Sequence, residues 1–179
     1  MLRNDAKGFT LIEIIIVMVI LSIVSAISIQ FLVDSLKIYT MTVNQKTLFD
    51  EGKLALERIC RDIRDSRSII RPNAGSSGSM IRITRTNATA LDGAGADVRY
   101  RLNGNTLERW RPPNAYSIAS NVSAFTVSRA ASNEITLQLT LSMGSGENVT
   151  LQTKVYPKNL ADSANYKNFF NNWREELST

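Results

Sequence analysis

The feature that most constrains this chain is a stretch from Ile14 to Val33 that holds no charged residue. At ~1.5 Å per residue, a helix of that length crosses about 30 Å of hydrocarbon. Ser22, Ser25, Ser28 and Gln30 dilute the stretch, but a helical serine can return its hydroxyl to the carbonyl of the preceding turn at small cost. Arg3 and Lys7 come just before it. By the positive-inside tendency the N-terminus stays cytoplasmic, and everything after Val33 lies beyond the cytoplasmic membrane in a single-pass arrangement. An ordinary secretory signal is cut after its apolar stretch, at an Ala-x-Ala-like site. No such site follows here, and the small residues from Ser22 to Ser28 fall inside the run.

The composition narrows the chemistry. The 179 residues contain no histidine and one cysteine, Cys60. Ser–His–Asp, Cys–His and histidine-ligated zinc chemistry are therefore excluded, as is an intramolecular disulfide. The net charge of +5 is too small a surplus to choose among nucleic acid, anionic lipid and an acidic partner. No nucleophile–base pair stands out, so the sequence points away from an enzyme and calls for no cofactor.

Glu13 is the anomaly, a carboxylate at the head of an apolar segment. At membrane depth an acidic side chain costs roughly 2.5–3.5 kcal/mol on insertion scales. It snorkels to the headgroups, takes up a proton, or pairs with a positive group on another molecule.

The residues Lys7-Gly8-Phe9-Thr10-Leu11-Ile12-Glu13, followed by the apolar run, resemble the class III signal of type IV prepilins and pseudopilins. The resemblance implies a leader of residues 1–8, cut between Gly8 and Phe9 by a prepilin peptidase/methyltransferase, with Phe9 as the methylated new N-terminus. It also implies that Glu13 pairs with the terminal amine of a neighbouring subunit. A buried carboxylate is tolerable when an ammonium meets it in low dielectric, and such a pair would fix the axial register between subunits. Other implied partners are further pilins or pseudopilins, membrane lipid and an inner-membrane assembly platform. The subunit waits in that membrane before entering a periplasmic or surface filament.

Helical periodicity continues past the membrane stretch. Leu32, Leu36, Tyr39 and Val43, then Gly52, Leu56, Ile59, Ile63, Ser66 and Ile70, recur at steps of three and four, the pattern of a helix with one buried stripe. No proline intervenes before Pro72, which biases Arg71 away from helix. The expectation is one helix from about Phe9 to Ile70, with 9–33 in the membrane and 34–71 amphipathic. The dense charges between Glu57 and Arg67 read as a solvated face laced by the pairs Glu57–Arg61, Arg58–Asp62 and Arg61–Asp65. Cys60, beside Ile59, reads as a buried thiol.

Residues 72–179 read as a β-rich head. The loop 73–78 is followed by strand-like runs at 80–86, 98–102, 106–110, 122–129, 135–142 and 149–156, several of them alternating polar with apolar. Asn103-Gly104 signals a tight hairpin, and Gly144-Ser145-Gly146 another turn. The fold class is therefore α+β: a long N-terminal membrane-spanning helix packed on an antiparallel sheet, as in pilins, with a short C-terminal helix. That last helix rests on Tyr166, Phe169, Phe170, Trp173 and Leu177, which share one helical face, with Asp162 or Ser163 as cap. The aromatic face packs on the head or receives a partner subunit.

Two features of the head carry competing readings. Arg82, Arg99, Arg101, Arg109 and Arg111 form either a basic patch suited to DNA phosphates, as in a competence subunit, or an ordinary exposed sheet face. No interleaved exposed aromatics support nucleic acid. Asp92 and Asp97, in a glycine-rich loop, are weak candidates for calcium, with too few oxygen ligands nearby.

Gln30 stands where major pilins usually carry a proline, and Cys60 alone cannot close their C-terminal disulfide loop. The stretches 52–64 and 151–160 resemble J-type minor pseudopilins of type II secretion and W-type minor pilins. The resemblance therefore implies a minor subunit that primes or caps a filament, with a major subunit and a DNA-binding competence subunit as alternatives.

Overall fold

The computed structural model describes residues 8–90 and 92–160. The expected C-terminal helix with Tyr166, Phe169, Phe170, Trp173 and Leu177 lies outside the described residues, as does most of the leader. The described part has one α-helix, α1 (Leu11–Arg64), and nine strands. It divides into two compact units, Met1–Val43 and Asn44–Thr179.

In the first unit, Thr10 caps α1. Its carbonyl accepts from the Glu13 N–H at 3.1 Å and its hydroxyl lies 3.4 Å from the same donor, as a helix N-cap should. Ser22 and Ser28 donate to the carbonyls of Met18 and Val24 at 2.7 and 2.8 Å, so these hydroxyls do not need water. Gln30 donates to both Asp34 carboxylate oxygens at 3.2 Å, which gathers the polar groups at one end of the apolar stretch. Every large apolar side chain from Leu11 to Val43 is exposed. This is the one helix among the described residues that is long and apolar enough to cross a membrane.

In the second unit α1 becomes one-faced. Leu48, Gly52, Ala55, Leu56, Ile59, Cys60 and Ile63 are buried, at the spacing of a single helical stripe. The stripe begins at Leu48, later than the expected start near residue 34, and it also ends early. α1 stops at Arg64, and residues 66–71 are a strand, not the last turns of the helix. The polar groups around the stop are taken by other partners. Asp65 N–H bonds the Arg61 carbonyl at 3.2 Å, the Ser66 hydroxyl bonds the Ile63 carbonyl at 2.7 Å, and Lys158 N–H bonds the Arg64 carbonyl at 3.1 Å. Ser66 and Ile70 kept the helical rhythm by coincidence of spacing, while β-branched Ile69 and Ile70 favour a strand once pairing is available.

The strands form two antiparallel sheets where the sequence suggested one. The first, in order β1-β3-β4-β5-β6, comprises β1 (Ser66–Arg71), β3 (Met80–Arg85), β4 (Asp97–Asn103), β5 (Thr106–Arg111) and β6 (Asn114–Ala119). The second, in order β2-β7-β8-β9, comprises β2 (Ser76–Gly78), β7 (Val122–Arg129), β8 (Ile135–Ser142) and β9 (Asn148–Val155). The six runs expected from alternation are all strands; β1, β2 and β6 were missed. β2 is short and fully exposed, and β6 follows two prolines, so neither has a burial pattern that periodicity can detect.

The hairpin between β4 and β5 uses Gly104 and Asn105 as its two loop residues, with Gly104 at φ 58° and Asn103 paired with Thr106. A positive φ at the first loop position suits a II′ turn, which takes glycine there. The core joins the α1 stripe to both sheets, through Ile81, Ile83, Val98, Tyr100 and Leu107 on one side and Val127, Ile135, Leu137, Leu139 and Leu141 on the other.

Gly52 marks the tightest approach of α1 to the second sheet. A Cβ there would stand 2.7 Å from a Leu141 methyl and 2.8 Å from a Leu151 methyl. Both are ends of flexible side chains. For Gly52→Ala the helix-propensity gain of about 1 kcal/mol should nearly offset the displaced methyls, leaving stability within about 1 kcal/mol of the parent. Gly52→Leu should lose about 1–3 kcal/mol through overpacking. Urea unfolding of a 34–179 fragment checks the pair, and equal losses for both would contradict the packing account.

Candidate functional site

The segment singled out by the sequence, Gly8 to Glu13, precedes and opens α1. Gly8, Phe9 and Thr10 lie before the helix and are exposed, Phe9 at 76%. A Cβ on Gly8 would meet nothing within 4 Å. The fold itself places no demand for glycine at this position. Glu13 is the third residue of α1, where unpaired N–H groups and the helix dipole favour a negative charge. Its carboxylate has no hydrogen bond or ion pair with another described residue. Gly8, Phe9 and Glu13 thus lie within one exposed helix start, followed by side chains that are apolar on every side. This can accept a small cation and bury itself in lipid or among similar helices.

The two aspartates considered for a cation are not brought together. Asp92, 3% exposed, faces inward and pairs with Arg109, with Arg85 at 3.8 Å and Arg111 at 3.6 Å. Asp97, on the outer side of the first sheet, is held by Arg82 at 2.8 Å and Arg99 at 3.0 Å. Each carboxylate already balances arginines. Among the described residues no three acidic or other ligating side chains converge as a metal site.

The arginines divide the same way, so they do not form one patch. Register pairs Arg99 with Trp110 and Arg101 with Glu108, but Tyr100 with Arg109. Arg109 therefore lies on the opposite face from Arg99 and is buried, 2% exposed. On the outer face an aromatic is interleaved after all. Trp110 lies 4.3 Å from the Arg99 guanidinium and 5.5 Å from that of Arg101, cation–π distances. Asp97 and Glu108 offset much of that charge.

What the sequence did not reveal is the ionic cluster under α1. Asp62, expected on a solvated face opposite Arg58, is 7% exposed. It accepts from Arg85 at 2.5 Å, from Tyr100 at 2.6 Å and from Arg109 Nε at 3.0 Å. Asp65 takes the other Arg85 nitrogen at 2.9 Å and Asn87 at 2.8 Å. Burial alone would raise the Asp62 carboxyl, but the Tyr100 hydroxyl and the charges of Arg85 and Arg109 outweigh it and hold it below the usual carboxylate range. Burial, then the Asp62 charge, pushes the Tyr100 hydroxyl far up, so it remains a donor. Burial works against the charge on Arg109, but its hydrogen bond to Asp92 and the neighbouring Tyr100 and Asp62 outweigh that. Cys60, buried as expected, has its thiol raised chiefly by desolvation.

Compared with known families, the chain matches the prokaryotic N-terminal methylation motif over residues 3–29. That match supports a type IV pilin-like class III signal and, with it, a subunit of the pilin or pseudopilin kind, and the apolar N-terminal helix fits membrane anchoring. No curated protein matches the chain.

The cluster makes unequal demands on its carboxylates. Asp62→Ala should cost about 3–5 kcal/mol, because it leaves the buried cluster of Arg85, Arg109 and Asp92 one negative charge short and takes the acceptor from the Tyr100 hydroxyl, whereas Asp97→Ala, at a partly exposed pair, should cost ~0–1 kcal/mol. The Asp62 carboxyl is lowered by folding, so its contribution is complete above its unfolded value of about 3.9. It is lost as pH falls through the folded value. Urea midpoints at pH 7 and pH 3 should therefore converge in Asp62→Asn relative to the parent. A parent-sized fall in that variant would remove Asp62 from the account.

Proposed function

We propose that this chain is a minor pilin or pseudopilin, a structural subunit that primes or caps a type IV pilus-like filament or a type II secretion pseudopilus. The observation that carries the reading is the Glu13 carboxylate, without a partner among the described residues, at the start of a helix whose large apolar side chains are exposed from Leu11 to Val43, inside the region that matches the methylation motif. Left alone in lipid, that carboxylate is costly. A terminal ammonium from a neighbouring subunit relieves the cost, and cutting between Gly8 and Phe9 creates such a group on every copy.

In this mechanism the peptidase removes residues 1–8 and methylates Phe9. The subunit waits in the inner membrane, and the assembly platform lifts it into a helical bundle. There Glu13 exchanges lipid for the Phe9 amine of its neighbour. The pairing sets axial register, while apolar contact along 11–33 supplies most of the cohesion. The lack of a proline at Gln30 and the single cysteine support a minor over a major role. The DNA-binding alternative is weakened, because Arg109 is buried and Asp97 and Glu108 offset the outer arginines.

Because a side chain at Gly8 would meet open space, Gly8→Val should leave the head folded while the leader stays on and Phe9 stays unmethylated, read from the mass of the purified chain. Glu13→Leu should be processed normally but recovered in filaments at about a tenth of the parent level or less, a loss worth ~1.4 kcal/mol per factor of ten. If Gly8→Val left function untouched, a tethered enzyme would replace the filament reading. A clean deletion in the native host separates the two systems. Lost secretion with surface fibres intact means a secretion pseudopilus; lost fibres with secretion intact means a pilus.

A further inference from the structure

A row of arginines crosses the outer face of the first sheet. Register places Arg71 on β1 opposite Arg82 on β3, Arg82 opposite Arg99 on β4, and Arg99 opposite Trp110 on β5. Neighbouring strands stand about 4.8 Å apart, so the row carries one arginine per strand at that spacing. Like charges this close call for anions between them. Asp97 supplies one, shared by Arg82 at 2.8 Å and Arg99 at 3.0 Å. Arg71 is exposed and has no hydrogen bond or ion pair with another described residue. Arg99 Nε is buried and finds no acceptor among them. The row is short of negative charge.

A cleft opens at the Arg71 end. Arg71 and Arg82 line a hollow of about 570 Å³ where β1 ends, β2 passes and β3 begins, a size within the range of small-ligand sites. Ser77, Ser79, Ile70 and Met80 are among its other lining residues. Guanidinium groups, hydroxyls and apolar side chains in one hollow suit a ligand that has carboxylates, hydroxyls and C–H faces. We propose that the cleft and the arginine row bind an acidic polysaccharide of the uronate type. Arg71 holds one carboxylate, in the two-bonded manner open to guanidinium, and the following rings run over Arg82 toward Arg99.

The charge pattern favours this polymer over nucleic acid. Duplex DNA carries one negative charge per ~1.7 Å of axis, and so dense an array would also meet Asp97 and Glu108 on this face. A uronate chain has one carboxylate per ring, a spacing close to that of the row, and its hydroxyls can donate to Asp97 and Glu108. Single-stranded nucleic acid stacks its bases on open aromatic rings. Trp110 is engaged by the Arg99 guanidinium at 4.3 Å, and Tyr116 is paired with Arg109, off this row. The site lies within the head and holds whatever filament the chain enters.

The test is titration calorimetry of the full chain in detergent micelles, with an oligomer of galacturonate as the probe. The oligomer should bind, and its methyl-esterified, uncharged form should bind at least about tenfold more weakly, because the charge-assisted contacts are gone. Arg71→Ala should weaken binding about tenfold, and Arg71→Lys by less, since it keeps the charge and loses the fork. Arg71 makes no bond within the described fold, so both variants stay folded. Arg58→Ala removes the same charge from an exposed position on α1 and should leave the affinity unchanged. Absence of binding overturns the proposal, as does equal binding of the esterified form. An equal loss in Arg58→Ala reduces the effect to net charge and also overturns it. Tighter binding of a single-stranded oligonucleotide would make the face a nucleic-acid surface and overturn it too.

Discussion

Burial of one face of α1, from Leu48 to Ile63, is what makes a single core out of two sheets. Each sheet alone is an antiparallel layer with two edges, β1 and β6 in one, β2 and β9 in the other. The helix stripe supplies the apolar surface that both require. Gly52 sets how near it comes, because any side chain there would reach Leu141 and Leu151. The polar contacts Asn44–Glu147 and Glu51–Ser120 fasten the same stretch of helix to loops of the head at 3.1 Å and 2.6 Å. They add orientation more than energy, since they lie near the surface.

The ionic cluster serves a different end. Asp62, Arg85, Asp92 and Arg109 are all nearly inaccessible, and Tyr100 donates into their centre. Buried ion pairs contribute little net stability against an apolar alternative, because desolvation consumes most of the attraction. Their effect is discrimination. A strand that slips by one residue turns every side chain to the other face. A slip in β3, β4 or β5 would put a charge where no partner waits, or expose Tyr100. The helix end and three strands of the first sheet are thereby held in one register.

The membrane half of α1 obeys the opposite logic. It is apolar on all sides and presents no stripe, and no surface among the described residues covers it. Ser22 and Ser28 are satisfied by their own helix, and Glu13 stands at the N-terminal end without a partner among the described residues. A segment like this is finished only by lipid or by other helices of the same kind. The methylation motif over residues 3–29 falls on this part of the chain, where self-sufficiency is least.

The sequence by itself determined the elements whose signal is local. These are the uncharged run to Val33, the placement of Glu13, the helical stripe through Gly52, Leu56, Ile59 and Ile63, the six alternating strands and the glycine turn between β4 and β5. Period and turn chemistry are written in neighbouring residues, so they could be read without a structure. Only the tertiary structure decided the rest. Helix gave way to strand at Ser66 because β3 was there to pair with β1 and partners elsewhere took the last helical carbonyls. Two sheets formed rather than one because strand order depends on long-range pairing. Asp62 and Arg109, charged and set among charges, went inside because their other partners, Arg85, Asp92 and Tyr100, come from three separate segments. A residue's own neighbours carry no record of such company, which is why the head's most constrained side chains read in the sequence as surface.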